Sequence, residues 1–165
     1  MVKTIEDYRQ AGTVRDLAPT EREPYISFLS ATYQDNLAAA EFNLLKHPRW
    51  SIIAGYYAMH DASKLILAKK FGLKLTMPNI HAGVIQCLRE LLKRKDILAY
   101  LEKAKEEYRE IISLHLALQQ GKDEREKSQY YTSESIKPEI GIQKASYFLE
   151  KLVKPYLKIV EKMMA

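Results

Sequence analysis

Apolar side chains recur every three to four positions through most of the chain, and glycine or proline marks the breaks between recurring segments. This is the pattern of amphipathic helices packed side by side. The first strong segment comes after "APTERE": Glu23 is placed to cap it, Pro24 to take its first position, and Phe28, Leu29, Ala31, Tyr33, Leu37, Ala40 and Leu44 to line one face. His47-Pro48 should stop it. In "SIIAGYYAMHDASKLILAKKFG" apolar residues cover most of the circumference around Tyr56, Tyr57 and Leu65 before Gly72 ends the run. A helix that apolar needs more cover than one four-helix bundle supplies, so a two-fold dimer should bury the remainder.

Pro78 and Asn79 open a short helix that turns Val84, Ile85, Leu88, Leu91 and Leu92 inward. Asp96 is placed to cap the next, which carries Ile97, Leu101, Ala104, Tyr108, Ile111, Ile112 and Leu116 and stops at Gly121. A last segment runs from about Glu139 through "GIQKASYFLEKLVKPYLKIVEKMM", where Pro155 should kink it by removing an intrahelical hydrogen bond. Residues 1–19 read as a frayed arm with a short helix around Ile5 to Gln10. Strand-like alternation and internal repeats are absent. The expected fold is all-α, an antiparallel up-and-down bundle of four to five helices in one domain, 1–165.

Composition narrows the function classes without choosing one. With 165 residues, 47% of them apolar, the chain can bury a core of its own. Its 26 basic and 21 acidic side chains leave a net charge of +5, which permits contact with phosphate or an acidic partner but is no nucleic-acid tail. Cys87 is the sole cysteine, which rules out an internal disulfide or a thiolate zinc site. The start "MVKTIEDYRQ" lacks the apolar centre of a signal peptide, and no apolar run reaches the ~18 residues of a membrane span. The expectation is a cytoplasmic protein without membrane contact.

Candidate chemistry is sparse. His47, His60, His81 and His115 share no helical spacing, so neither a metal nor another cofactor is expected. Phosphate-binding glycine loops and nucleophile elbows are missing. His60, beside Asp61 and Lys64, reads as a core histidine satisfied by a neighbouring helix, and His81 as a helix-start residue. Lys144, Lys151, Lys154, Lys158 and Lys162 fall in one stripe of roughly 80° on an ideal helix. That stripe could follow a phosphate backbone, although the solvated back of an amphipathic helix looks the same. Residues 121–137, "GKDEREKSQYYTSESIK", form a polar segment in which Arg125 is followed by Tyr130 and Tyr131.

"YYAMHDASKLILAKKFG", then "IHAGVIQCLRELL", then Arg125-x-x-x-x-Tyr130 before a long final helix together resemble the HEPN domain, the higher-eukaryote and prokaryote nucleotide-binding domain. The resemblance extends from about Tyr25 to the end. It implies a helical bundle that dimerises through helices flanking a polar motif and that pairs with a minimal nucleotidyltransferase, often as a toxin-antitoxin couple. In ribonuclease members the motif is arginine, four to six residues, then histidine, with histidine taking the 2′-hydroxyl proton and arginine holding the phosphate. Arg125 matches the arginine, and Tyr130 stands where the histidine would be. A phenol with an unperturbed pKa near 10 is only about a thousandth ionised at pH 7. The resemblance therefore implies a non-nucleolytic accessory subunit in which Arg125, Tyr130 and Tyr131 meet nucleotide phosphate. Two alternatives stay open: a metal-independent endoribonuclease with Arg125 and Tyr130 as catalytic groups, and an RNA- or nucleotide-binding protein using the lysine stripe. The bare reading of 121–137 is a wet loop with two aromatic anchors.

Overall fold

The computed structural model describes residues 3–119 and 138–165, with side chains described over 3–109 and 138–165. Helices α2 (Pro19–Asn43) and α3 (Pro48–Phe71) make a long hairpin. Pro48 takes the first turn of α3, where a missing N–H costs nothing because helix-start donors have no partner within the helix. Gly72, at φ 61, closes α3 in the left-handed conformation and donates its N–H to the Ala68 and Leu67 carbonyls. Both boundaries fall where the sequence puts them. The start of α2 does not: it lies at Pro19, so Glu23 is inside the helix rather than its cap. Pro19 supplies the pre-set first position, and Pro24, early in the helix, forfeits only the hydrogen bond back to Thr20.

The hairpin is antiparallel. Ser51 Oγ donates to the Ala40 carbonyl at 2.7 Å and the Arg22 guanidinium to the Lys69 carbonyl at 3.3 Å. From Ser51 to Ala68 every residue of α3 is buried except Ala54, Tyr57 and Lys64. The cover comes from the chain itself, and the apolar circumference of this helix therefore makes no demand for a second copy.

Helices α4 (Ile80–Cys87) and α5 (Lys95–Gln119) pack on one side of α3. The short helix is prolonged by a π turn over Leu88–Leu92. Asp96 lies inside the first turn of α5 instead of capping it, and Arg94 grips its carboxylate at 2.9 and 2.6 Å. That guanidinium, helped by the Ile97 N–H, holds the Asp96 carboxyl down to about 2. The Gly121 stop lies outside the described residues.

On another side of α3 runs the C-terminal helix, α6 (Pro138–Phe148) and α7 (Lys154–Met164), joined by a π turn over Leu149–Val153. This turn is how the structure absorbs Pro155: the Lys154 N–H reaches back to the Leu149 carbonyl, and the widened backbone makes room for the proline ring just beyond it. Gly55 sits against this turn; a Cβ there would lie 3.0 Å from Val153 and 3.1 Å from Phe148. Further along, Ser63 Oγ and Tyr156 Oη meet at 2.5 Å. The C-terminal helix therefore runs in the direction of α3, as alternate helices of an up-and-down bundle do.

The N-terminal arm is docked rather than frayed. Thr4 and Asp7 form a capping box for α1 (Ile5–Gln10), and Tyr8 is buried. Strand β1 (Val14–Asp16) pairs antiparallel with β2 (Leu73–Leu75), Val14 opposite Leu75. Arg15 and Lys74 both bind Glu21, at 2.7 and 2.8 Å, and hold its carboxyl down to about 2, with Arg15 the stronger influence. Such short strands carry too few positions for alternation to show, which is why the pattern predicts no strand here. Among the described residues no helix is long and apolar enough to cross a membrane.

Candidate functional site

The sequence-derived candidates do not converge. Arg125, Tyr130 and Tyr131 lie outside the described residues. The lysines of the C-terminal helix are described, but the π turn at Leu149–Val153 puts an extra residue into the helix between Lys144 and Lys158. An extra residue rotates the rest of the helix by about 100°, so the even stripe of an ideal helix is broken. Lys154 is spent on Glu150 at 2.6 Å and Glu41 at 3.3 Å. Lys151, Lys158 and Lys162 remain exposed, with Glu161 exposed among them.

A different set of side chains does converge, on the side of α3 that faces α4 and α5. Tyr56 and Tyr57 come from α3, His81 from the first turn of α4 and Tyr108 from α5. Tyr56 Oη and His81 Nδ1 are 3.0 Å apart, and Tyr57 Oη and Tyr108 Oη 3.1 Å. The Tyr56 and Tyr108 rings stack at 4.5 Å, and the His60 and His81 rings lie 4.5 Å apart. His60 is 2% exposed, and neither of its ring nitrogens has a partner among the described residues. Its neighbour Asp61, 3.9 Å away, instead binds Lys64 at 2.7 Å and Asn36 at 3.1 Å. The expectation of a satisfied core histidine is half met: His60 is core, but unsatisfied.

Burial and surrounding positive charge keep both imidazoles neutral. Desolvation, then Lys64, His81 and Lys105, push His60 down to about 2, so the 3.9 Å approach to Asp61 is no ion pair. His81, half-buried, is lowered for the same reasons: burial first, then Lys105, Lys64 and Arg109. Lys105 is itself lowered by burial and by Arg109. Tyr108 is pushed up to about 12 by burial and by Tyr57, and Tyr56 is raised mainly by burial, so the phenols stay protonated. Among the described residues Lys105 and Arg109 form no ion pair, unlike Lys64.

The arrangement is thus a neutral, partly buried imidazole and a stack of phenols, one of them on the helix that carries Lys105 and Arg109. Such a set can receive an anion next to an aromatic surface. Among the described residues no group of His, Cys, Asp and Glu could hold a metal ion. Sequence reasoning missed the cluster because its members are far apart in the chain. One signal was local: Tyr56 and His60, one helical turn apart, share a face of α3. Comparison with models of protein families, with curated proteins and with solved structures finds no match for the chain.

Proposed function

We propose that the chain is a nucleotide-binding accessory module of HEPN type, the dimeric partner of a minimal nucleotidyltransferase, which holds nucleotide phosphate without cleaving RNA. The observation that carries this reading is the bond at 3.0 Å between His81 Nδ1 and Tyr56 Oη, whose ring stacks on Tyr108 of the helix that also carries Lys105 and Arg109. Both cations lie on α5, and Arg125 and Tyr130 follow that helix in the sequence. The toxin-antitoxin association and the homodimer belong to the resemblance. Calorimetry with a nucleoside triphosphate tests the binding. We expect micromolar affinity that falls about tenfold or more in Arg109→Ala and in Arg125→Ala, and that is unchanged when Lys151 and Lys158 are both replaced by alanine. Affinity lost only in the double lysine variant, with a flattened salt dependence, would overturn this site in favour of the lysine stripe.

The endoribonuclease reading has one observation in its favour. His81 is half-accessible and neutral, so it could accept a 2′-hydroxyl proton where Tyr130 cannot. Cleavage of single-stranded RNA in the presence of a chelator, lost in both His81→Gln and Arg125→Ala, would establish that reading and remove the accessory one.

A further inference from the structure

Tyr57 has a second environment. It also lines an open groove of 510 Å³ between α2 and α3, together with Asn36, Asn43, His47 and Trp50. That volume lies within the range of small-molecule sites, about 300–1,000 Å³. Its surfaces are of two kinds. Trp50 presents a flat indole that is 56% exposed, an unusual placement for so large an aromatic group. Asn36 and Asn43 present amides whose orientation is set from behind, since Asn36 Nδ2 donates to Asp61 at 3.1 Å and Asn43 Nδ2 to the Ala39 carbonyl at 2.8 Å. Each carbonyl Oδ1 is outside those bonds and can accept from a ligand N–H.

Tyr57 is the residue that the groove shares with the polar cluster. Trp50, Tyr57 and Lys64 follow one another at heptad spacing on α3, in steps of about 10 Å along its axis, so they share its exposed side. Tyr57 Oη then joins that line to Tyr108 and so to the helix carrying Lys105 and Arg109. A stacking surface, fixed amide acceptors and cations further along suit a nucleotide better than an aliphatic ligand, which would use neither the π face nor the amides.

We propose that the groove is the base-binding half of the nucleotide site: a base with an exocyclic amine stacks on Trp50 and donates to Asn36 and Asn43, with its phosphate toward Lys105 and Arg109. This rests on the nucleotide-binding reading and assigns the base a place.

Trp50 is the only tryptophan of the chain, so emission excited at the red edge, where indole absorbs and the eleven tyrosines do not, reports this groove alone. Adenosine carries the base without the phosphate and separates the two halves. We expect adenosine to quench Trp50 saturably, uridine at least several-fold more weakly, and inorganic phosphate not at all. In Asn43→Leu, checked for native helicity, adenosine affinity should fall about tenfold, and in Trp50→Leu the calorimetric affinity for AMP should fall similarly. If adenosine leaves Trp50 unchanged while AMP binds in an Arg109-dependent way, the groove assignment fails and the nucleotide reading stands. If neither adenosine nor AMP binds, both fail. Linear quenching is collisional, and saturable quenching unchanged in Asn43→Leu shows that the amide does not hold the base; either overturns the assignment.

Discussion

The two sides of α3 treat their polar groups in opposite ways. Toward the C-terminal helix, Ser63 Oγ donates to the Met59 carbonyl at 2.6 Å and meets Tyr156 Oη at 2.5 Å, and Gly55 lets the π turn press directly against the backbone. The buried hydroxyls of Ser63 and Tyr156 partner each other there. Toward α4 and α5, His60 is just as deeply buried but has no partner on either ring nitrogen among the described residues. A buried, unsatisfied polar ring costs stability that an apolar residue of similar size would not. One side of the helix is built for packing, and the other carries polar groups that packing does not require, which is where function is expected to reside.

The comparison breaks most sharply at Gly55. Gly55→Leu would drive a side chain into Val153, Phe148 and Leu149, all within 3.3 Å of the added Cβ, and should cost about 3 kcal/mol or more in urea unfolding. An unfolding midpoint within error of the natural protein would show that the C-terminal helix does not seat on α3 in this way.

Acid separates the two sides next. His60 has a folded pKa of about 2 and an unfolded one near 6.5, so below pH 6.5 the unfolded chain takes up the proton and the folded chain does not. Stability should therefore be insensitive to this group above pH 6.5 and be lost progressively below it, by about 2–3 kcal/mol at pH 4.5. His60→Phe should remove that share of the acid sensitivity, and at pH 7 it should cost little, since no hydrogen bond is given up. Equal acid slopes in the two proteins would mean that His60 is solvated or partnered in solution.

The smallest expected effect sharpens the contrast on the packing side. Ser63→Ala leaves the Tyr156 hydroxyl buried without its partner and should cost about 1–2 kcal/mol, and adding Tyr156→Phe should recover most of it. Strictly additive losses in the double variant would show that the two hydroxyls are not coupled.

Much of the fold was legible because its signals are local. Proline at position 48, glycine at 72 and the Pro78-Asn79 pair end or begin helices through their own backbone preferences, whatever surrounds them. Helical periodicity likewise identifies the inward faces of α3, α4 and α5. The start of α2 is not fixed in this way, because Pro19 and Pro24 carry the same signal and only packing distinguishes them. Little of the candidate site was legible. Lysines at helical spacing suggest a continuous stripe only on the premise of an unbroken α-helix, which the π turn before Pro155 removes.

By itself, then, the sequence determined that the chain is helical, where most of its helices begin and end, and that α3 would be buried nearly all round. These features arise from torsional preference and from the free energy of removing apolar surface from water, which act on each segment alone. Only the tertiary structure decided that α3 would be covered by its own chain, that β1 would find β2, and that His81 would reach Tyr56 and Tyr108 reach Tyr57. Such pairings depend on which helix faces meet across long stretches of chain, and a hydroxyl or imidazole carries no mark in the sequence of the distant partner it will bond.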